Sequence, residues 1–414
     1  MHKHLRAPLL SLGLLASSLD GGADGCDACD PKPPAPVDTT GAHTITVLGV
    51  RLADDDGSYA ATVTRAQFQS YMDKASEIYQ RSGAKLTFVV APETDWNGHT
   101  KSTLMNHDCV PKTTHPETFT DAGLDPDAIC DHTTVSDARN AFALKYPQYL
   151  VIFLRYGNEG AVYENGHWAL EYPRKATGGY SGRGGHHVAG VGTKAGSTFY
   201  AHEMGHYLHL AHPFTGKAPA SLSEAQQQVT AYLDANIGRS GFDPIRDGLF
   251  LYDGDRGDNV FDTPPDPRSG LFSALYGDAC DPAHPTVDIE VSVDGVPYKL
   301  TAAPDRQNVM SYFKGCPFDM HISKDQTTRV YRALLALNRQ RLLHPELASC
   351  YAGNGLADDS GTYADRVTRR VAIIDDCIEN AAAPAATPQG LAGRAARVSL
   401  PAIRASDACE LEAE

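Results

Sequence analysis

The stretch His202-Glu203-Met204-Gly205-His206-Tyr207-Leu208-His209-Leu210-Ala211-His212 decides how this chain is read. His202 and His206 are four residues apart, so on a helix their imidazoles share one face, a turn apart. That geometry suits two ligands of one tetrahedral Zn²⁺. Glu203 sits beside the first ligand, where its carboxylate can take a proton from water at the metal instead of binding the ion. His212, ten residues after His202, is the expected third ligand. His209 is the alternative, because it shares the face of a continuing helix. It would lie about 10 Å from His202 along the axis, too far for near-parallel side chains to meet at one ion.

Working outward, the zinc-ligand helix is expected to begin near Thr198, after a glycine-rich stretch and a strand at His187 to Val191. His186 and His187 are expected on an edge strand, one ring exposed, within reach of the cleft. Further upstream, Thr44 to Leu52 is rich in β-branched residues and reads as a strand. Thr64 with Gln67 forms a capping box for a helix whose apolar positions are Phe68, Tyr71, Met72, Ala75, Ile78 and Tyr79, stopped by Gly83. Leu86 to Val90 follows as a strand, so this β-α-β unit predicts a parallel pair. Residues 93–140 read as loop-rich. Tyr149 to Leu154 is continuously apolar and reads as a central strand.

Downstream of His212 the chain reads as irregular. A helix is expected from an N-cap at Ser223, with Gln226 at N3, to Ile237, closed by Gly238. An acidic, glycine-rich loop spans 243–267. A hairpin is expected at 287–301, turning at Asp294-Gly295. A last helix is expected from Ser323 to Leu343. About a hundred residues after the histidines stands Asn308-Val309-Met310-Ser311-Tyr312.

These segments together resemble the pappalysin-type metzincin peptidases. The long motif H-E-x-x-H-x-x-x-x-x-H has the metzincin spacing, and Met310 with Tyr312 resembles the Met-turn. His-Glu-Met-Gly-His, Pro213-Phe214, the loop Gly257-Asp258-Asn259-Val260-Phe261-Asp262-Thr263-Pro264, and Gln326 with Arg329 resemble family features. Cys280 and Cys316 resemble a family disulfide. The likeness covers about 42–343. It departs at His209, where the motif has Gly, at Ser311, where Asp is common, and in an insertion at about 217–252.

The resemblance implies an α+β fold of two subdomains. The N-terminal one (42–212) would hold a twisted, mostly parallel sheet, a backing helix and the active-site helix. The C-terminal one (213–345) would be irregular and carry the Met-turn, with Met310 as structural support. It implies Zn²⁺ on His202, His206 and His212, Glu203 as general base, and Tyr312 as a donor to the tetrahedral oxyanion. A peptide or protein substrate would lie extended along the sheet edge.

The remaining features bound the setting. With 51 Asp+Glu against 36 Lys+Arg the net charge is −15, which argues against nucleic acid or an anionic lipid surface as partner. No apolar run beyond the N-terminus reaches the length of a membrane helix. Residues 1–25 read as a signal peptide, so a secreted, periplasmic or cell-surface location is expected, with a lipid anchor at Cys26 as a variant. A Pro-rich linker (26–41), an extension (346–380) and an Ala/Pro-rich tail (381–414) complete the chain. Chain order pairs Cys109 with Cys130, Cys280 with Cys316, and Cys350 with Cys377. Asp253, Asp255 and Asp258 offer hard oxygen ligands suited to Ca²⁺. Arg256-Gly257-Asp258 also spells an adhesion tripeptide, a chance match that the family loop explains. Asp262 reads as structural.

The leading reading is an exported zinc endopeptidase. The alternative is a catalytically inactive metzincin-like surface or binding protein, motivated by His209. A zinc amidohydrolase is a third reading. The acidic balance points to basic side chains beside the cleaved bond.

Overall fold

The computed structural model describes residues 41–343 except 93–95, 108–109, 112–129, 165–166, 175–178, 181–186, 192–196, 215–218, 250, 253–259, 261, 314–315, 317–318, 336–338 and 340. The signal, linker, extension and tail segments, the Cys109–Cys130 and Cys350–Cys377 pairs, His186, the adhesion-like tripeptide and the candidate calcium ligands Asp253, Asp255 and Asp258 therefore lie outside the described residues.

In chain order the elements are β1 His43–Ala53, α1 Arg65–Arg81, β2 Leu86–Val90, β3 Thr100–Lys101, α2 Thr103–Asn106, β4 Val110–Pro111, β5 Cys130–Asp131 and α3 His132–Ala143. Next come β6 Leu150–Arg155, β7 Asn158–Glu164, β8 His167–Arg174, β9 Gly179–Tyr180, β10 His187–Val191 and α4 Ser197–Tyr207. The remainder are α5 Leu222–Asn236, α6 Pro244–Asp247, α7 Arg268–Tyr276, β11 Val287–Val293, β12 Val296–Ala302 and α8 Lys324–Leu335.

The main sheet runs β2-β1-β6-β10-β9, with β3 also paired to β1. Strands β2, β1, β6 and β10 are parallel, and β9 is antiparallel. The register sets Val47 opposite Leu150 and His187 opposite Val151. All six residues of β6 are buried, as expected of a strand covered on both faces. One face carries α1 and α4, through Ile45, Phe68, Ile152, Tyr200 and Met204. The other packs Leu48, Val50, Val151 and Phe153 with Met105 and Ala143, from α2 and α3. Residues 93–140 thus hold more regular structure than their sequence suggests. His187 is buried between β6 and β9 and bonds Asn140 Oδ1 through Nδ1 at 2.8 Å. It is neither on an edge strand nor exposed.

Helix α1 starts as its sequence demands. Gln67 N donates to Thr64 Oγ1 at 3.2 Å, and Thr64 N donates to Gln67 Oε1 at 2.9 Å. Gly83, at φ 85°, ends the run. The 287–302 hairpin turns through Asp294 and Gly295, both at positive φ, as a two-residue type I′ turn requires.

A second apolar cluster forms from α5, α7, β11 and β12, with Phe313. The insertion supplies part of it, because Ala225, Val229 and Leu233 of α5 are buried there. The N-cap of α5 lies two residues before the expected one. Ser221 caps it, accepting from Glu224 N at 3.1 Å. Ser221 and Ser223 each precede an acidic or amide residue at N3, and the earlier register wins. A disulfide joins Cys280 to Cys316. Helix α8 is described over Lys324–Leu335 and packs with Met310, Met320 and Ile322 in the first cluster; residues 336–338 and 340, on the way to the expected Leu343, lie outside the described residues. Among the described residues, no helix is long and apolar enough to cross a membrane.

Candidate metal centre

Strand β10 leads into α4, which lies against α1. Tyr79 Oη, fully buried, donates to Ala201 O at 3.1 Å. Helix α4 then ends in a Schellman motif. Leu210 N bonds Gly205 O at 2.8 Å, and His209 N bonds His206 O at 2.9 Å. The motif puts its C′ residue in the left-handed region, and here that residue is His209, at φ 66°. Glycine would take this conformation without strain, whereas a side chain costs roughly 1–2 kcal/mol. The helix stops regardless, so His209 turns the chain and His212 comes back to the other two histidines.

The three rings converge through Nε2. His206 Nε2 is 3.0 Å from His212 Nε2, which is 3.2 Å from His202 Nε2. Together His202, His206 and His212 form a group that could hold a metal ion. Nitrogens on one tetrahedral zinc would be about 3.4 Å apart, close to these spacings. The tautomers follow from the outer partners. His202 Nδ1 faces Val309 O at 2.7 Å, and His206 Nδ1 faces Leu210 O at 2.7 Å. A carbonyl only accepts, so each Nδ1 carries the proton and each Nε2 presents a lone pair. Lone pairs aimed at one point repel unless a cation sits between them, and a neutral imidazole set fits zinc.

Glu203, next to His202, is only 4 % exposed. Tyr312 is 40 % exposed. Its ring lies 5.1 Å from His212 and 6.1 Å from His202, centroid to centroid. Burial raises its hydroxyl above the ordinary value; the Arg268 cation opposes this and the Glu203 carboxylate adds to it.

The turn at 308–312, where the Met-turn was expected, is assembled by local hydrogen bonds. Asn308, fully buried, accepts Met310 N at 2.9 Å through Oδ1 and donates to Gln326 Oε1 at 2.9 Å. Val309 N donates to His321 O at 2.8 Å, and Val309 O holds His202. Met310 is fully buried beneath α4. A Cβ on Gly205 would overlap Met310 Sδ, so glycine is what lets helix and turn approach. We expect Gly205→Ala to destabilise the metal-free protein by about 1–3 kcal/mol, measured by chemical denaturation, and to weaken metal binding with it.

Supporting residues surround the site, and of these Asp266 and Arg339 give no sequence signal of their own. Asp266, almost wholly buried, accepts from Ser311 Oγ and from Arg268 N (2.6 Å), while its own N–H donates to Pro213 O at 3.2 Å. Burial pushes its carboxyl up to about 6. Asp262 caps α8, accepting from Ser323 Oγ at 2.5 Å and Asp325 N at 3.0 Å, a structural role as expected. Arg339 Nε donates to Tyr207 O at 3.2 Å, and its guanidinium lies 3.8 Å over the Tyr207 ring. A cation there also suits the negative end of α4.

His321 brackets the 308–312 turn with its peptide group, and its ring pairs with Asp305 at 2.8 Å. The Asp305 hydrogen bond raises its pKa, against the opposing effect of burial. A raised folded-state pKa means the pair's contribution is complete below the unfolded value of 6.5 and is lost as pH rises through the folded value. Thermal melts of wild type and His321→Gln should therefore differ most below the unfolded value of 6.5 and converge as pH rises above the folded value. A constant difference would remove the pair from this role.

The sequence matches no protein-family model and no curated protein.

Proposed function

We propose that the chain is a zinc-dependent endopeptidase of the pappalysin-like metzincin type, with the sheet and α4 as its upper part and the Met-turn region below. The observation that carries this is the convergence of His202, His206 and His212 through Nε2, with Nδ1 of the first two tied to carbonyls and a buried glutamate alongside. Those three imidazoles would hold the ion. When bound, zinc would supply Lewis acidity, lowering the pKa of a water and polarising the scissile carbonyl.

The chain's own groups do the rest. Glu203 accepts the proton of the attacking water and delivers it to the leaving amine as the C–N bond breaks. Its low exposure strengthens that exchange by excluding competing water. The Tyr312 hydroxyl donates to the substrate oxygen as negative charge develops there. A protonated hydroxyl is the form that donates, and burial shifts Tyr312 further in that direction.

Hydrolysis of an unstructured protein such as casein by the purified chain tests the reading. Cleavage should stop with a zinc chelator and return on adding zinc. Zinc bound at the histidines with no cleavage would favour the inactive binding protein instead.

Export belongs to the same proposal. It rests on the N-terminal segment and on the Cys280–Cys316 disulfide, a bond that persists in oxidising compartments. Mass spectrometry of the native protein should find it outside the cytoplasm and lacking its first residues; an intact N-terminus on a cytoplasmic protein would reject export.

A further inference from the structure

His212 lies beyond the end of α4, so helix geometry cannot fix its ring as it does those of His202 and His206. Its ring is stacked on Phe214 at 4.5 Å with an interplanar angle of 6°. Phe214 also meets Tyr312, ring centroids 4.6 Å apart, and Arg268, whose guanidinium carbon lies over the Phe214 ring at 4.3 Å from its centroid and 5.7 Å from that of Tyr312. Arg268 adopts φ 70°, an unfavourable conformation for a residue with a side chain. Its N–H is held by the Asp266 carboxylate. The N–H of Asp266 in turn holds the carbonyl of Pro213, between His212 and Phe214. One short segment, 266–268, therefore grips the chain just after the third histidine twice, once by backbone and once by ring.

We propose that Arg268 is a positioning residue for the metal centre, clamping Phe214 against His212 so that His212 Nε2 is preset at the distance its partners require. The inference rests on the zinc reading above. It has a distinctive sign. A cation near a dication is electrostatically unfavourable, so an Arg268 that acted by charge alone would weaken zinc binding. A positioning Arg268 strengthens it, because its charge is directed at the face of a ring. Strain in a backbone that turns this side chain over the ring fits such a role.

The test is zinc affinity by chelator competition on the full chain, with the Co²⁺ ligand-field spectrum as a second readout. We expect Arg268→Ala to weaken zinc about 10-fold or more, as loss of an outer partner does, and to perturb the Co²⁺ bands. Phe214→Leu should do the same. The double variant should lose no more than Phe214→Leu alone, since Arg268 acts through that ring. Arg268→Lys should fall between, because a lysine does not stack as a guanidinium does. Unchanged or tighter zinc binding in Arg268→Ala overturns the proposal, as do additive losses in the double variant. If Arg268→Ala does not fold, Arg268→Met keeps the aliphatic stem and gives the same decision. Wild type that binds no zinc would instead sink the underlying reading.

Discussion

Glu203→Ala is expected to keep its metal and lose peptide hydrolysis by about 10²–10⁴-fold, the range that removal of a positioned general base produces. The two halves of that outcome come from different atoms. The metal stays because the three Nε2 atoms and their carbonyl anchors, Val309 O and Leu210 O, do not involve the glutamate. Activity goes because Glu203 is the carboxylate beside the first ligand, buried at 4 % exposure. Glu203→Gln separates charge from shape. It should be as inactive as Glu203→Ala if proton transfer is the role, and nearly as active as wild type if the side chain only packs. Turnover of a fluorogenic peptide, with zinc quantified in the same samples, reads both.

His212→Ala should have the largest effect on the metal. Removing a direct ligand should cost more than the roughly 10–100-fold that follows loss of an outer partner, so zinc affinity should fall by well over about 100-fold. His209→Gly is the informative companion. His209 was the rival third ligand, yet its backbone occupies the left-handed turn that ends α4. Glycine satisfies that turn, so His209→Gly should bind zinc as wild type does. The opposite pattern, zinc lost on changing His209 and kept on changing His212, would reverse the ligand assignment. Equilibrium dialysis against a metal buffer distinguishes the two.

The parts of this site that were legible in sequence are those whose signal is local. The Thr64–Gln67 capping box, the β-α-β unit and the histidine spacing each need only a few neighbouring residues. The hairpin at Asp294-Gly295 is of the same kind. What escaped is long-range or carried by backbone. Nothing in the residue types at Val309 and Leu210 announces a carbonyl that orients a histidine. Asp266 and Arg268 are ordinary loop residues until folding brings Asp266 to Ser311, 45 positions away, and Arg268 to Phe214. The cap of α5 was read at Ser223, and the structure places it at Ser221, two residues earlier, where the side chain accepts from Glu224 N. The strand of His187 was read as an edge without β9, which pairs with it at Ala189 and Gly190, and its ring is buried by distant partners, Asn140 and Phe153. His209 shows the reverse case. Its departure from glycine was visible, but only the structure shows that the turn is made despite it.

All of these expectations rest on one claim, that His202, His206 and His212 hold one metal ion with a position left open. X-ray absorption at the zinc edge, on wild-type protein with its metal content counted, tests it most directly. The account predicts one zinc per chain, with three imidazole nitrogens and one further oxygen at about 2.0–2.1 Å. A shell containing sulfur, a shell with fewer than three imidazoles, or folded protein that takes up no zinc would contradict it.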